Sequence, residues 1–243
     1  MKTLNRILLA GLFSILAFSA LAESTTNPVP RDVKWVARHE GFVQIAKKGG
    51  VDLLFMGDSI TDFWRNRGSN VWDKYYAPRN AANFGISADR TEHVLWRMDN
   101  GELEGIKPKV VVLMIGTNNT GKERDGKTPR NQPPEVIQGV TAVVDDLRAK
   151  LPDSKILLLA IFPRADGGPE QQTQINLINK SLANIQRYSS HGKMVTFLDI
   201  GPKFLGADGQ LHKDVMPDLL HPSEHGYEIW AEAMEPTLKK MLN

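Results

Sequence analysis

The chain has 243 residues, 41% hydrophobic and 24% charged, which suits one α/β domain with a sizeable core. Its 30 Lys and Arg exceed its 28 Asp and Glu only through Lys2 and Arg6, and the balance of the remainder argues against a nucleic-acid partner or an anionic membrane surface. There is no cysteine, which excludes disulfides, thiolate zinc sites and a cysteine nucleophile.

Residues 1–22 read as a secretory signal. Lys2 and Arg6 form its positive start, 7–18 its apolar run, and Ala20-Leu21-Ala22 its cleavage site. The apolar run is shorter than the roughly 20 residues a membrane span needs, and no cysteine follows it to carry a lipid anchor. The expectation is a periplasmic or secreted product of one domain, 23–243, without stable membrane insertion.

Asp32 can cap a helix running to about Lys48, which Gly49-Gly50 ends. The apolar run 51–56 is the first strand and stops abruptly at Gly57-Asp58-Ser59. A polar stretch follows, in which Trp64, Trp72, Tyr75 and Tyr76 read as packing residues. Residues 81–84 form a short strand ending at Gly85, and Asp89-x-x-Glu92 has the spacing of a capping box that opens a helix. Residues 110–115 are a uniformly apolar strand between Pro108 and Gly116, of the kind buried inside a parallel sheet. Pro133-Pro134 open a helix with Val136, Val140, Val143, Val144 and Leu147 on one stripe. Further strands are expected at 155–161 and 195–200, with a helix through Ile175, Ile178 and Leu182 between them and a last helix over 223–242. Five alternations of strand and helix predict a five-stranded parallel sheet covered by helices on both faces.

The residues just past the strand ends carry the chemistry. Ser59, Gly85, Asn118, Asp218 and His221 emerge at one sheet edge if the strands run parallel. Taken alone, Gly57-Asp58-Ser59 reads as a helix cap. With the others, Ser59 is a candidate nucleophile, His221 its base, and Asp218, three residues earlier, the group that orients the imidazole. The N–H groups of Ser59 and Gly85, with the Asn118 amide, are the candidate oxyanion donors.

Gly57-Asp58-Ser59, Asn83-Phe84-Gly85, Gly116-Thr117-Asn118 and Asp218-x-x-His221 occur in the order of the four blocks of the SGNH, or GDSL-type, hydrolase superfamily, which the chain resembles over nearly its whole mature length. The run 83–97 and Gly116-Thr117-Asn118-Asn119 resemble the catalytic subunits of intracellular platelet-activating factor acetylhydrolase and related bacterial acetylesterases. The resemblance implies a flavodoxin-like three-layer α/β/α sandwich and a serine esterase that needs no cofactor or metal. Asn119 stands where many members have Asp, which leaves one loop interaction open. The Gly-x-Ser-x-Gly elbow of the larger α/β-hydrolases is absent, since Thr61 occupies the last position.

His221 and His225 have the spacing of one helix face, but there is no His-Glu-x-x-His and no third zinc ligand. His39, His93, His191 and His212 read as solvating or hydrogen-bonding residues. Arg90 and Arg164 read as structural ion pairs, with contact to an anionic substrate group as the alternative. The expected function is removal of acetyl or other short acyl groups from an acylated carbohydrate, a small-molecule or polysaccharide ester. The alternatives are a lipid-directed esterase and a retired hydrolase that binds glycans. Whether the chain forms an oligomer stays open.

Overall fold

Five short strands lie side by side: β1 (Leu53–Gly57), β2 (Ala81–Gly85), β3 (Val110–Met114), β4 (Lys155–Leu159) and β5 (Val195–Leu198). In the computed structural model, which describes residues 24–185 and 192–243, they form one sheet in the order β2-β1-β3-β4-β5 with every pair parallel. The expected leader over 1–22 lies outside the described residues. Seven α-helices are found among the described residues: α1 (Val33–Lys48), α2 (Ser59–Asp62), α3 (Ser69–Tyr75), α4 (Thr91–Asp99), α5 (Pro133–Lys150), α6 (Gly168–Leu182) and α7 (Glu224–Leu242).

The central strands β1, β3 and β4 are apolar, Lys155 at the start of β4 apart, because both faces are covered. Leu54, Met56, Val111, Leu113, Ile156 and Leu158 pack under α1, α4, α5 and α6. The alternate residues, Leu53, Phe55, Val110, Val112, Leu157 and Leu159, pack against Trp64, Tyr76 and the α7 residues Trp230, Met234 and Leu238. This is the three-layer α/β/α sandwich that the strand–helix alternation and the family resemblance implied. The chain leaves β1 for the edge strand β2 and then crosses back to β3. Such a reversal opens a crevice between the carboxyl ends of β1 and β3, where α/β proteins bind ligands.

Local signals account for most boundaries. Asp32 accepts the Trp35 N–H at 3.0 Å and starts α1, and Gly49 leaves it at φ 70°. Gly116 turns the chain out of β3 at φ 116°, a conformation that favours glycine. The expected Asp89 cap is corrected. Helix α4 begins one residue later, with His93 Nδ1 accepting the Arg90 N–H at 2.9 Å. Asp89 is fully buried instead, accepting from Trp35 Nε1 at 2.6 Å and lying 3.0 Å from Arg97 Nε. Arg97, also fully buried, donates to Glu102 at 2.6 Å and to the Phe84 carbonyl at 2.8 Å. Buried charges of this kind are tolerated only when paired and hydrogen-bonded.

Candidate active site

The site begins at a glycine that nothing else can replace. A Cβ on Gly57 would lie 2.3 Å from the Met114 carbonyl and 2.3 Å from Thr61 Oγ1. The chain can therefore turn tightly off β1 and set Ser59 at the start of α2, with Asp58 as its cap through a 2.9 Å bond from the Ile60 N–H to Oδ1. Asp58 is fully buried. Burial, followed by the proximity of Asp89, pushes its carboxyl up to about 7, against the pull of the Ile60 N–H and Arg164.

This has a consequence for stability. The fold favours protonated Asp58 while the unfolded chain lets it ionise near 4, so its contribution is complete below about pH 4 and is lost as the pH rises toward about 7. Asp58→Asn keeps a carbonyl for the Ile60 N–H and carries no charge. Urea unfolding is expected to show the variant gaining stability relative to wild type between pH 4 and pH 7.5. A stability difference independent of pH would contradict the buried, proton-bearing carboxyl.

His221 comes to Ser59 from the loop before α7. Asp218 organises that loop: Oδ1 accepts the N–H of Leu220 at 3.2 Å and of His221 at 2.7 Å, while Leu219 sits at φ 59°. The other carboxylate oxygen lies 2.8 Å from His221 Nδ1. Burial opposes ionisation of Asp218, but the hydrogen bonds from the His221 backbone and ring outweigh it and hold the carboxyl below its ordinary value. An ionised carboxylate only accepts, so Nδ1 carries the proton and Nε2 presents its lone pair. Nε2 is 2.8 Å from Ser59 Oγ. The Phe63 ring lies 5.0 Å from the imidazole. Over Phe63, at 5.1 Å, sits the Arg67 guanidinium, itself 3.8 Å from Asp218 Oδ2. A serine hydroxyl bonded to an imidazole whose tautomer is fixed is the arrangement that lets a hydroxyl lose its proton as it attacks a carbonyl.

Asn118 lies in the turn Thr117–Asn119 after β3. Its Nδ2 donates to the Asp89 carbonyl at 3.0 Å, which orients the amide and leaves its second N–H to a ligand. Asn119, at the position where many members of the superfamily have Asp, is buried and hydrogen-bonded through both ends of its amide. Its Nδ2 donates to Glu92 at 3.0 Å and to Asn131 at 3.2 Å, and its Oδ1 accepts the Thr91 N–H at 3.1 Å.

Gly85 does not present its N–H as expected. That N–H donates to Asn83 Oδ1 at 2.9 Å. The glycine is required for another reason: a Cβ there would lie 2.4 Å from the Asp62 nitrogen, so α2 could not pack against β2. Arg65 holds the carbonyls of Asn83 and Gly85 from outside. The residue that sequence reasoning missed is Ala88, at φ 65°. It borders the same cavity of about 520 Å³ as Asn118. Neither its N–H nor that of Ser59 has an acceptor among the described residues. A non-glycine residue at positive φ is uncommon and marks a backbone position worth attention, but no sequence pattern announces it.

His225 faces Glu228 at 3.4 Å on α7, and no group of three or more His, Asp or Glu placed to hold a metal ion is found among the described residues. No described helix is long and apolar enough to cross a membrane. Arg164 pairs with Asp166 at 2.6 Å and reaches Thr117 Oγ1 at 3.0 Å, so it braces the turn below Asn118.

The sequence profile of the GDSL-like Lipase/Acylhydrolase family matches residues 55–229. The alpha1 subunit of platelet-activating factor acetylhydrolase IB from Homo sapiens is 34% identical over 218 residues, covering 88% of this chain and 87% of its own. Two solved structures share the fold. One is a GDSL-like lipase from Bacteroides thetaiotaomicron, with TM-score 0.58, 20% identity, and coverage of 85% of this chain and 96% of its own. The other is a catalytic mutant of an acetylxylan esterase from Geobacillus stearothermophilus, with TM-score 0.59, 20% identity, and coverage of 79% and 94%. The family match spans both strand ends and the Asp218–His221 loop, and with it the chain belongs to the GDSL-like lipase/acylhydrolase family, a family of ester hydrolases.

Proposed function

We propose that this protein is an exported serine esterase that removes acetyl or other short acyl groups from acylated carbohydrates. The observation that carries the reading is the chain of two 2.8 Å hydrogen bonds from Ser59 Oγ through His221 to Asp218. Ser59 Oγ attacks the ester carbonyl as its proton passes to His221 Nε2. The negative charge on the tetrahedral oxygen is met by the N–H groups of Ser59 and Ala88 and by Asn118 Nδ2. Collapse of this intermediate breaks the bond to the alcohol, which leaves with the proton from His221. Water then attacks the acyl-serine with His221 again as base, and the carboxylic acid departs. Asp218 keeps the imidazole oriented and balances its charge while it is protonated.

The cavity beside Asn118 supports a short acyl group and a polar alcohol. Ala88 and Thr128 are the least polar side chains on its wall, which otherwise consists of Arg31, Arg90, His93 and other polar groups. A long acyl chain would find no large apolar side chain there. An acetylxylan esterase among the structural neighbours and an acetylhydrolase among the relatives fit removal of acetyl groups. The apolar run 7–18 and Ala20-Leu21-Ala22 support export toward the periplasm or beyond. A lipid-directed esterase is the second reading, favoured by the name of that relative.

Acid release from acetyl, butyryl and octanoyl esters of one alcohol, and from an acetylated xylo-oligosaccharide against an acetylated ether phospholipid, tests the reading. The expected order is acetyl first, with kcat/KM falling as the chain lengthens and the oligosaccharide preferred. Preference for the octanoyl ester or for the phospholipid would overturn it. Sugar binding without turnover would favour the retired, glycan-binding alternative.

A further inference from the structure

The cavity beside Asn118 holds more positive charge than ester hydrolysis needs. Arg31, Arg90, Arg124 and Arg130 line it, against two carboxylates, Glu123 and Asp125. Both carboxylates are consumed within the protein. Glu123 accepts both of its bonds from Arg90, at 2.7 and 2.9 Å, and lies 3.5 Å from Arg130 Nε. Asp125 accepts the N–H groups of Lys127 and Thr128 at 2.8 and 2.9 Å and the Thr128 hydroxyl at 2.5 Å. Below them Asp89 is taken by Trp35, Arg31 and Arg97. The acceptors are therefore spent, while donors remain.

Two of those donors have no structural task. Arg124 has no carboxylate partner among the described residues. His93 is only 8% exposed and borders the cavity. Its Nδ1 accepts from the Arg90 backbone, so in the neutral ring the proton sits on Nε2, and that N–H has no acceptor among the described residues. Burial, then Arg31, Arg90 and Arg97, push the His93 pKa down to about 3, so the ring stays a neutral donor at working pH. Bracing of the 120–131 segment explains the Arg90–Glu123–Arg130 cluster, but it leaves Arg124 and the His93 N–H unused.

We infer that this cavity is a subsite for an anionic oxygen group, a carboxylate or a phosphate, carried by the ester substrate beyond the oxyanion donors Ala88 and Asn118. An oxyanion accepts from several donors at once and gains from their charge, whereas a neutral hydroxyl would leave most of them unanswered. The inference rests on the esterase reading and, within acylated carbohydrates, favours esters of acidic sugars, such as an acetylated uronic acid or sugar phosphate, over neutral ones.

The test compares kcat/KM for an acetylated neutral sugar, the corresponding acetylated uronic acid and the corresponding acetylated sugar phosphate, in low-salt buffer. Wild type is expected to prefer an anionic ester about tenfold, and the better of the two acids identifies the source of the charge. Arg124→Gln should reduce that preference several-fold. Glu123→Gln, which removes a negative charge from the cavity wall, should increase it. Opposite signs from two variants are not produced by general destabilisation. Equal rates for neutral and anionic esters, or a preference unmoved by both variants, would overturn the subsite while leaving the esterase reading intact. Inorganic phosphate gives a readout independent of turnover: it should raise the Tm of wild type more than that of Arg124→Gln, and equal shifts would also count against the subsite. Loss of all ester hydrolysis in wild type would instead strike the esterase reading, with the phosphate shift still deciding the subsite.

Discussion

Replacing Ser59 with alanine is expected to lower ester turnover by about 10⁶, the scale seen when the nucleophile of a serine triad is removed, and to leave the fold intact. The second half follows from the position. Ser59 opens α2, where alanine is a good helix residue, and among the described residues its hydroxyl bonds His221 alone, on the neighbouring loop. Loss of one such bond costs about 1 kcal/mol. Turnover close to wild type in a folded Ser59→Ala protein would remove the nucleophile from the mechanism.

The second large effect belongs to Asn118. Its Nδ2 is tied to the Asp89 carbonyl at 3.0 Å, so the free N–H is held before the substrate arrives and costs no reorganisation when charge develops. Asn118→Ala should lower kcat by roughly 10²–10³, the usual loss for one oxyanion donor, with KM changing far less because the donor acts on the transition state. A defect confined to KM would make Asn118 a substrate-binding residue. The Asp89 carbonyl can hold the amide because the Asp89 side chain is locked by Trp35, Arg31 and Arg97, so the proposed oxyanion donor rests on a buried ion-pair network.

The two effects also separate what the sequence states from what it hides. The central strands are legible because a strand covered on both faces is apolar along its length, as residues 110–114 are between Pro108 and Gly116. Asp218 and His221 are legible because three residues of loop bring a carboxylate and an imidazole together locally. The second backbone donor proposed for the oxyanion, Ala88, is not legible in the sequence. Gly85 stands at a strand end as such a donor should, but the Ile86 N–H is the one that faces β1, donating to the Gly57 carbonyl at 3.2 Å. Alternation along the strand turns the Gly85 N–H outward to Asn83. Only the register of β2 against β1 reveals this, and register is a tertiary fact. Ala88 takes a left-handed conformation that its side chain does not favour, so composition gives no sign of it. The place of Asp89 is hidden for a related reason. Asp89-x-x-Glu92 satisfies a local capping pattern, and the partner that overrides it, Trp35, lies 54 positions away.

Covalent labelling tests the central claim most directly. The protein is incubated with an organophosphonate that traps serine nucleophiles, and its peptides are mapped by mass spectrometry. One adduct per chain on Ser59 is expected, lost in Ser59→Ala and slowed strongly in Asp218→Asn. An active enzyme that carries no adduct, or an adduct on any other residue, would contradict Ser59 as the nucleophile.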